Sequence, residues 1–149
     1  MATRIEGGDK LAVALAKLAT KVKRAGTLEV GFMEGATYPD GTSVALVAAV
    51  NEFGRPAKGQ PPRPFFRGMV ARGEGRWGGE LGKLLTAADY DAPRALAIMG
   101  EQLEGELKQS IADLTSPALA PSTVAAKGFD KPLVDTGHML NSATHRVKE

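Results

Sequence analysis

The chain has 149 residues, the size of one ordinary domain, and its 43% apolar and 24% charged residues are typical of a folded globular protein and exclude an intrinsically disordered one. It contains no cysteine and two histidines, which excludes a disulfide framework or a thiolate metal site, and we expect neither a cofactor nor a metal. A net charge of +2 does not indicate a polyanion partner, and no apolar run reaches the roughly 18 residues of a membrane span, so we expect a cytosolic protein.

The first predicted element is an amphipathic helix in the sequence DKLAVALAKLATKVKRAG. Its larger apolar residues follow one another at helical spacing, which places them on one face: Leu11, Leu15, Leu18 and Val22. Asp9 is the predicted N-cap, and Gly26 is expected to end the helix. In the next segment, TLEVGF, large apolar residues alternate with Glu29 and Gly31, which predicts a strand with one buried face.

A turn and a second helix are predicted next. The residues YPDGTS supply the fixed and the positive φ angles that a turn needs. Thr42 or Ser43 is the predicted cap of a helix in VALVAAVNEF, which Gly54 ends. The residues expected to face inward are Val44, Val47, and either Val50 or Phe53. A buried strand through VALVAAV is the alternative interpretation.

The segment RPAKGQPPRP is predicted to be a stiff basic loop. Its four prolines deny helix geometry to the residues before them and remove backbone donors. From Phe65 to Ala88 the apolar pattern indicates a helix again, but four glycines in it each cost about 1 kcal/mol relative to alanine. We expect this helix to be interrupted or closely packed near Gly73, Gly75, Gly78 and Gly79.

A second strong helical pattern lies in DAPRALAIMGEQLEGELKQSIADL. Asp91 is its predicted cap and Pro93 fits its first turn, while the buried side is expected to hold Leu96, Met99, Leu103, Leu107 and Leu114. A single helical turn is predicted from Pro121 to Lys127, ended by Gly128. The segment LVDTGHMLNSATHRV predicts a capped turn or short helix and then a strand at ATHRV.

In this order the elements predict one α+β domain over residues 1–149. A small antiparallel sheet is expected to pack against two or three helices, with the proline-rich basic loop between them. No internal repeat or low-complexity tract divides the sequence further.

The tripeptide Asp135-Thr136-Gly137 has two interpretations. Aspartic proteases place two such loops face to face, so that two carboxylates share one proton and activate a water. Their fold is almost entirely β, whereas this sequence predicts at least two well-patterned helices. The favoured interpretation is structural, because Asp135 and Thr136 carry short oxygen-bearing side chains that can cap the helical start at HMLNS.

No other catalytic pattern emerges. No serine lies in a nucleophile elbow, and the glycines of RGEGRWGGELG do not match a phosphate-binding loop. We therefore assign no active site and expect a protein that is not an enzyme.

Charge is distributed unevenly along the chain. Between Arg55 and Arg76, six lysines and arginines face the single acid Glu74, and between Glu101 and Asp113 acids predominate. A chain with one basic and one acidic surface can associate head to tail with copies of itself, although a solvated surface with no partner fits the same pattern.

The same basic stretch allows a nucleic-acid-binding module as an alternative function. Phe65, Phe66 and Trp77 interleave with the basic residues and could stack on bases. Core burial is the favoured fate of the two phenylalanines, however, and Arg63 and Arg67 can equally pair with carboxylates of a neighbouring subunit.

The combined pattern resembles the tail-component or tail-completion proteins of long-tailed bacteriophages. Those proteins show Asn-Glu-Phe-Gly, then Pro-Pro-Arg-Pro-Phe and an Arg, a helix, a Pro-x-Thr segment, Lys-Gly, and Lys-Pro-Leu-(Ile/Val)-Asp-Thr-Gly before a terminal strand. The matching positions here are Asn51 to Gly54, Pro61 to Phe65, Arg67, Pro121, Thr123, Lys127, Gly128, and Lys131 to Gly137. Each motif alone is weak, but their order and spacing are specific.

The resemblance implies a non-enzymatic virion protein at the neck, where the filled head meets the tail. Such proteins are expected to form a homo-oligomeric ring, often of six subunits, assembled in the host cytoplasm. The implied partners are the head connector or adaptor and the tail terminator or tube proteins, with DNA nearby in the channel and no membrane. A tail terminator, which stops tube polymerisation, is the closest alternative.

A proline-stiffened loop suits an interface because it loses little conformational entropy on docking. We therefore expect residues of the two central motifs to form the assembly interface: Asn51, Glu52, Phe53, Arg63, Pro64, Phe65 and Arg67. A ring also needs a heterologous interface, in which one face of a subunit meets a different face of the next.

Overall fold

A two-stranded antiparallel sheet pairs β1 (Thr27–Phe32) with β2 (Ala143–Lys148). The computed structural model describes residues 7–23, 26–119, 121–128 and 137–148. In the sheet, Thr27 lies opposite Lys148 and Phe32 lies opposite Ala143. Both strands occur where alternating apolar residues predicted them, so the expectation of a small antiparallel sheet is confirmed.

Helices surround this sheet and make the domain α+β, as predicted. In the described residues they are α1 (Gly8–Lys23), α2 (Val44–Phe53), α3 (Phe65–Ala87), α4 (Ala92–Asp113), α5 (Pro121–Lys127) and α6 (His138–Ser142), with a 3₁₀ turn at Pro56–Lys58. The long helices α3 and α4 pack together as a hairpin, and the sheet packs against α4. Among the described helices, none combines the length and hydropathy that a membrane crossing requires.

The core lies where α2, α3, α4 and α6 meet the sheet. It contains Val44, Ala48, Phe65, Met69, Leu107, Ile111, Met139 and Ala143. The rings of Phe32 and Phe65 meet edge to face with centroids 6.2 Å apart. Ser110 of α4 donates its hydroxyl hydrogen to the Phe65 carbonyl over 2.7 Å, which fixes the start of α3 against α4.

Two helix starts carry the predicted caps. The Ser43 hydroxyl accepts from the Leu46 amide at 3.3 Å, and the Asp91 carboxylate accepts from the Arg94 amide at 3.2 Å. Each cap satisfies an amide that has no carbonyl partner in the first turn. VALVAAV is therefore helical, and the alternative of a buried strand is wrong.

Two expectations for α2 and α3 need correction. Helix α3 runs without interruption, and of its four singled-out glycines only Gly73 is closely packed, under the ring of Trp77. The inward position on α2 allowed to Phe53 is held instead by Glu52, and the Phe53 side chain is 65% exposed. A carboxylate can occupy that position because backbone and arginine donors surround it, as described below.

Helix α1 forms as predicted, but the described residues do not cover its apolar face. Leu11 is 61% exposed and Leu15 is 56% exposed. Asp9 lies inside the first turn and is not the N-cap, which corrects that prediction. The end assigned to Gly26 falls next to residues 24–25, which lie outside the described ranges.

Candidate assembly interface

The carboxylate of Glu52 joins the end of α2 to the start of α3. Its Oε2 accepts the Phe66 amide at 2.9 Å, and its Oε1 accepts the Arg67 amide at 3.2 Å. Pro64, at the N-cap position of α3, has no side chain that could satisfy these amides. Because the first turn of a helix carries free N–H groups and the positive end of the dipole, a buried carboxylate from another helix stabilises it.

Arg67 completes this arrangement at the surface. Its Nε donates to Glu52 Oε1 over 2.7 Å, and its Nη2 donates to the Glu52 carbonyl over 3.0 Å. The guanidinium then lies over the Phe53 ring, 5.2 Å from the centroid. Both side chains remain mostly exposed. Phe53 and Arg67 therefore form a fixed aromatic and cationic pair at the surface.

The proline loop is held against the same helix end. Arg55 and Gln60 exchange two backbone hydrogen bonds of 2.9 and 3.1 Å, and the Arg63 amide donates to the Asn51 carbonyl over 2.7 Å. Gly54 has a φ of +75°, and a Cβ there would lie 2.7 Å from both the Gln60 carbonyl oxygen and the Pro62 nitrogen. The motifs NEFG and PPRPFFR thus fold as one unit that needs a glycine at their contact.

The predicted interface residues divide into a surface and its support. Phe53, Pro64 and Arg67 are exposed, whereas Glu52, Arg63 and Phe65 are buried and Asn51 is half-buried. Arg63 and Phe65 therefore have almost no free surface to offer a partner, contrary to the expectation for them, because Phe65 fills the core and Arg63 is enclosed beside it. Within the described residues the Arg63 Nε has no hydrogen-bond partner.

An apolar pocket of about 230 Å³ lies beside the exposed pair. One wall is the outer face of α2, where Ala45, Ala49 and Phe53 follow one another every four residues, and Phe32 and Phe66 lie deeper. Leu46, next to this row, is 57% exposed. We call Ala45, Leu46, Ala49 and Phe53 the α2 patch. Sequence reasoning missed it because α2 is apolar on both faces, although the four-residue spacing was visible.

The long basic stretch is largely paired inside the subunit. Arg76 of α3 contacts Glu106 of α4 at 2.7 Å and Glu80 at 2.8 Å, beside a polar concavity of about 400 Å³ between the two helices. Arg72 donates to the Ser110 hydroxyl, and the Trp77 indole donates to Glu106 over 3.1 Å. Part of the charge asymmetry that suggested head-to-tail association is therefore neutralised between α3 and α4.

This pairing also bears on the nucleic-acid interpretation. Of the three aromatics in the basic stretch, Phe65 is buried, while Phe66 and Trp77 are half-buried. No metal-binding group of histidine, aspartate and glutamate side chains occurs in the described part of the chain.

The proposed cap at Asp135 and Thr136 lies outside the described residues and stays a prediction. Helix α6 does begin directly after Gly137, and Met139 packs from it into the core. His138 lies against the ring of Tyr38 and places its Nε2 2.9 Å from the Thr37 carbonyl oxygen, so the start of α6 is tied to the turn before α2.

Comparisons with protein-family models, with curated proteins and with solved structures find no match to this chain.

Proposed function

We propose that this protein is a non-enzymatic structural protein of a phage virion, which forms a ring at the neck, completes the tail and helps to join it to the head. The proposal rests on the resemblance of its motifs to tail-completion proteins. The observation that carries it is the exposed Phe53–Arg67 pair beside the α2 patch, built from those same motifs.

The chemistry of this surface supports an assembly role. A preorganised arginine over an aromatic ring, next to an apolar pocket, is the composition that interface hot spots favour. Its side chains are held by the buried Glu52 carboxylate, so docking immobilises few additional rotamers. The expected occupants are a second copy of the chain, the head connector or adaptor, and tail terminator or tube proteins.

The test is deletion of the gene from the phage, followed by imaging of the lysate. Full heads beside finished but unjoined tails are the result expected for a completion protein. Overlong tubes would assign the protein to tail termination instead, and a lysate of normal particles would overturn a virion assembly role.

Complementation of the deletion tests the surface itself. Phe53→Asp removes the exposed aromatic and is expected to lower the yield of infectious particles at least about tenfold, because it places an unpaired charge in the interface. Tyr90→Asp is the matched control, since Tyr90 is an exposed aromatic in the turn between α3 and α4, away from the α2 patch. Equal yields from both variants would exclude the Phe53 surface from assembly.

A further inference from the structure

Helix α1 presents an apolar stripe that the described residues leave open. Leu11, Leu15 and Val22 are 61%, 56% and 46% exposed, and they lie on one side of a sixteen-residue helix. Lys10 and Lys17 flank the stripe on one side. The described tertiary polar contact of α1 is at its C-terminal end, where Lys21 pairs with Asp89. A stripe of this kind is stable in water only at a cost that burial against a partner removes.

The α2 patch is a surface of matching length and opposite end charges. From Ala45 to Phe53 it extends about 12 Å, and the α1 stripe from Leu11 to Val22 extends about 16 Å, at 1.5 Å per helical residue. Leucine side chains at helical spacing fit an apolar pocket of about 230 Å³ lined by small alanines and aromatic rings.

Charges at the two ends of each surface define the direction of docking. Asp40 precedes α2 and is exposed, and a hydrogen bond from the Thr42 backbone amide keeps its pKa below the ordinary value, so it is anionic. Arg67 lies at the other end of the patch, beside Phe53. On α1 the order is reversed in an antiparallel pairing, with Asp9 at the start and Lys17 toward the end. Asp9 then meets Arg67, and Lys17 meets Asp40.

We propose that the leucine stripe of α1 in one copy of the chain docks antiparallel on the α2 patch of a second copy. Each copy then carries one donor stripe and one acceptor patch on different surfaces. This is a heterologous contact, which closes into a ring when the rotation between copies permits it. The inference rests on the proposed function for its biological setting, but its geometry comes from the two exposed surfaces alone.

The contact is small by the standards of stable complexes. One face of a sixteen-residue helix buries less than the roughly 1,600 Å² of a typical specific interface. The isolated protein is therefore expected to dissociate on dilution and to be held in a ring by closure and by its neighbours. A covalent trap is accordingly the sharpest test.

The absence of cysteine from the sequence makes such a trap simple. Two single variants, Leu15→Cys and Ala49→Cys, are mixed at high concentration, oxidised and separated under non-reducing conditions. The expected product is a heterodimer carrying one variant of each kind. The control mixture replaces Leu15→Cys with Ala16→Cys, an exposed position turned away from the stripe, and should yield at least about fivefold less.

Three results would overturn the proposal. Equal heterodimer yields from the two mixtures would show random collision. A Leu15→Cys, Ala49→Cys double variant that closes only within its own chain would assign the patch to its own α1. Binding of the unmodified protein to vesicles containing phosphatidylglycerol, with no heterodimer, would assign the stripe and its lysines to a lipid surface.

A second variant separates docking from folding. Leu11→Asp, Leu15→Asp is expected to melt within a few degrees of the unmodified protein, since both side chains are exposed, and to lose the cross-linking of an added Ala49→Cys partner. Cross-linking without any phage phenotype would retain the docking and remove the neck function. A phage phenotype for Phe53→Asp without cross-linking would remove the docking alone.

Discussion

Gly100 is a position in α4 where the fold leaves no room for a side chain. A Cβ built there would lie 2.8 Å from His145 Cγ and 2.9 Å from Leu28 Cδ1, one from each strand. The sheet therefore approaches the helix backbone at this glycine. Five residues later, Gly105 lies on the same helix with open space where its Cβ would be.

This contrast gives a matched pair of substitutions. Gly100→Ala is expected to lower the unfolding free energy by about 1–3 kcal/mol, because overpacking against the sheet exceeds the gain in helix propensity. Gly105→Ala is expected to raise it by up to about 1 kcal/mol. Urea denaturation of the two variants measures both changes, and a stabilised Gly100→Ala would show that the sheet does not lie this close.

Nothing in the sequence distinguishes these two glycines. Both interrupt the same helical pattern, and the requirement at Gly100 comes from strand β2, which crosses the helix after a long intervening chain. Ser43 and Asp91, in contrast, were predictable caps, because a cap acts on amides two or three residues away.

Between elements, the link from α2 to α3 depends on a single carboxylate. Glu52 accepts from two amides and from the Arg67 guanidinium while 5% exposed. The period of α2 predicted an apolar residue inward and therefore allowed Phe53. The carboxylate was unpredictable because its three donors come from α3, on the far side of the proline loop. The motifs NEFG and PPRPFFR were recognised separately, and their contact became visible only in the fold.

Substitution of this carboxylate tests the link. Glu52→Gln retains the shape but turns one acceptor oxygen into an NH₂ group facing the Phe66 amide, and it removes the charge opposite Arg67. We expect a loss of about 1.5–3 kcal/mol in unfolding free energy, the range for hydrogen bonds to a charged group.

Glu101→Gln is the control for this change, since Glu101 is an exposed glutamate on α4. The expected difference appears as a lower urea midpoint for Glu52→Gln alone. Identical midpoints for the two variants would contradict a capping role for Glu52.

Across the whole molecule, carboxylates tie the helices and strands to one another. A hydrogen bond from Lys108 holds the pKa of Glu104 below 4.5, against the opposing effect of burial. Burial alone would raise the pKa of Glu106, but hydrogen bonds from Arg76, Trp77 and Gln102 bring it below 4.5.

These shifts define how stability depends on pH. A carboxyl group with a lowered pKa in the folded state stabilises the fold above its unfolded pKa, and that contribution is lost as the pH falls below about 4.5 and through the folded pKa. We expect the urea midpoint to fall between pH 6 and pH 3.5. Glu106→Gln should start lower at pH 6 and fall by less, because position 106 no longer titrates.

Glu34→Gln, at an exposed turn glutamate, serves as the control and should retain the full decrease. A Glu106→Gln variant with the same decrease as the unmodified protein would mean that Arg76 and Glu106 do not couple α3 to α4.

At this scale the sequence predicted the class of the fold and the positions of both strands, but not which surfaces stay open. The stripe on α1 has the periodicity of a core helix, and periodicity alone cannot distinguish a face buried in its own domain from one left exposed.

The pairing of Thr27 with Lys148 has a consequence for how the chain reaches this structure. Helices α3 and α4 are joined by a short turn, so their contacts close a small loop and cost little chain entropy. The sheet closes nearly the whole described chain into one loop, and it is the most non-local contact of the fold. The helical hairpin is thus the inexpensive part to nucleate, and β2, arriving last, completes the core around α2 through Ala143 and so sets the patch in place.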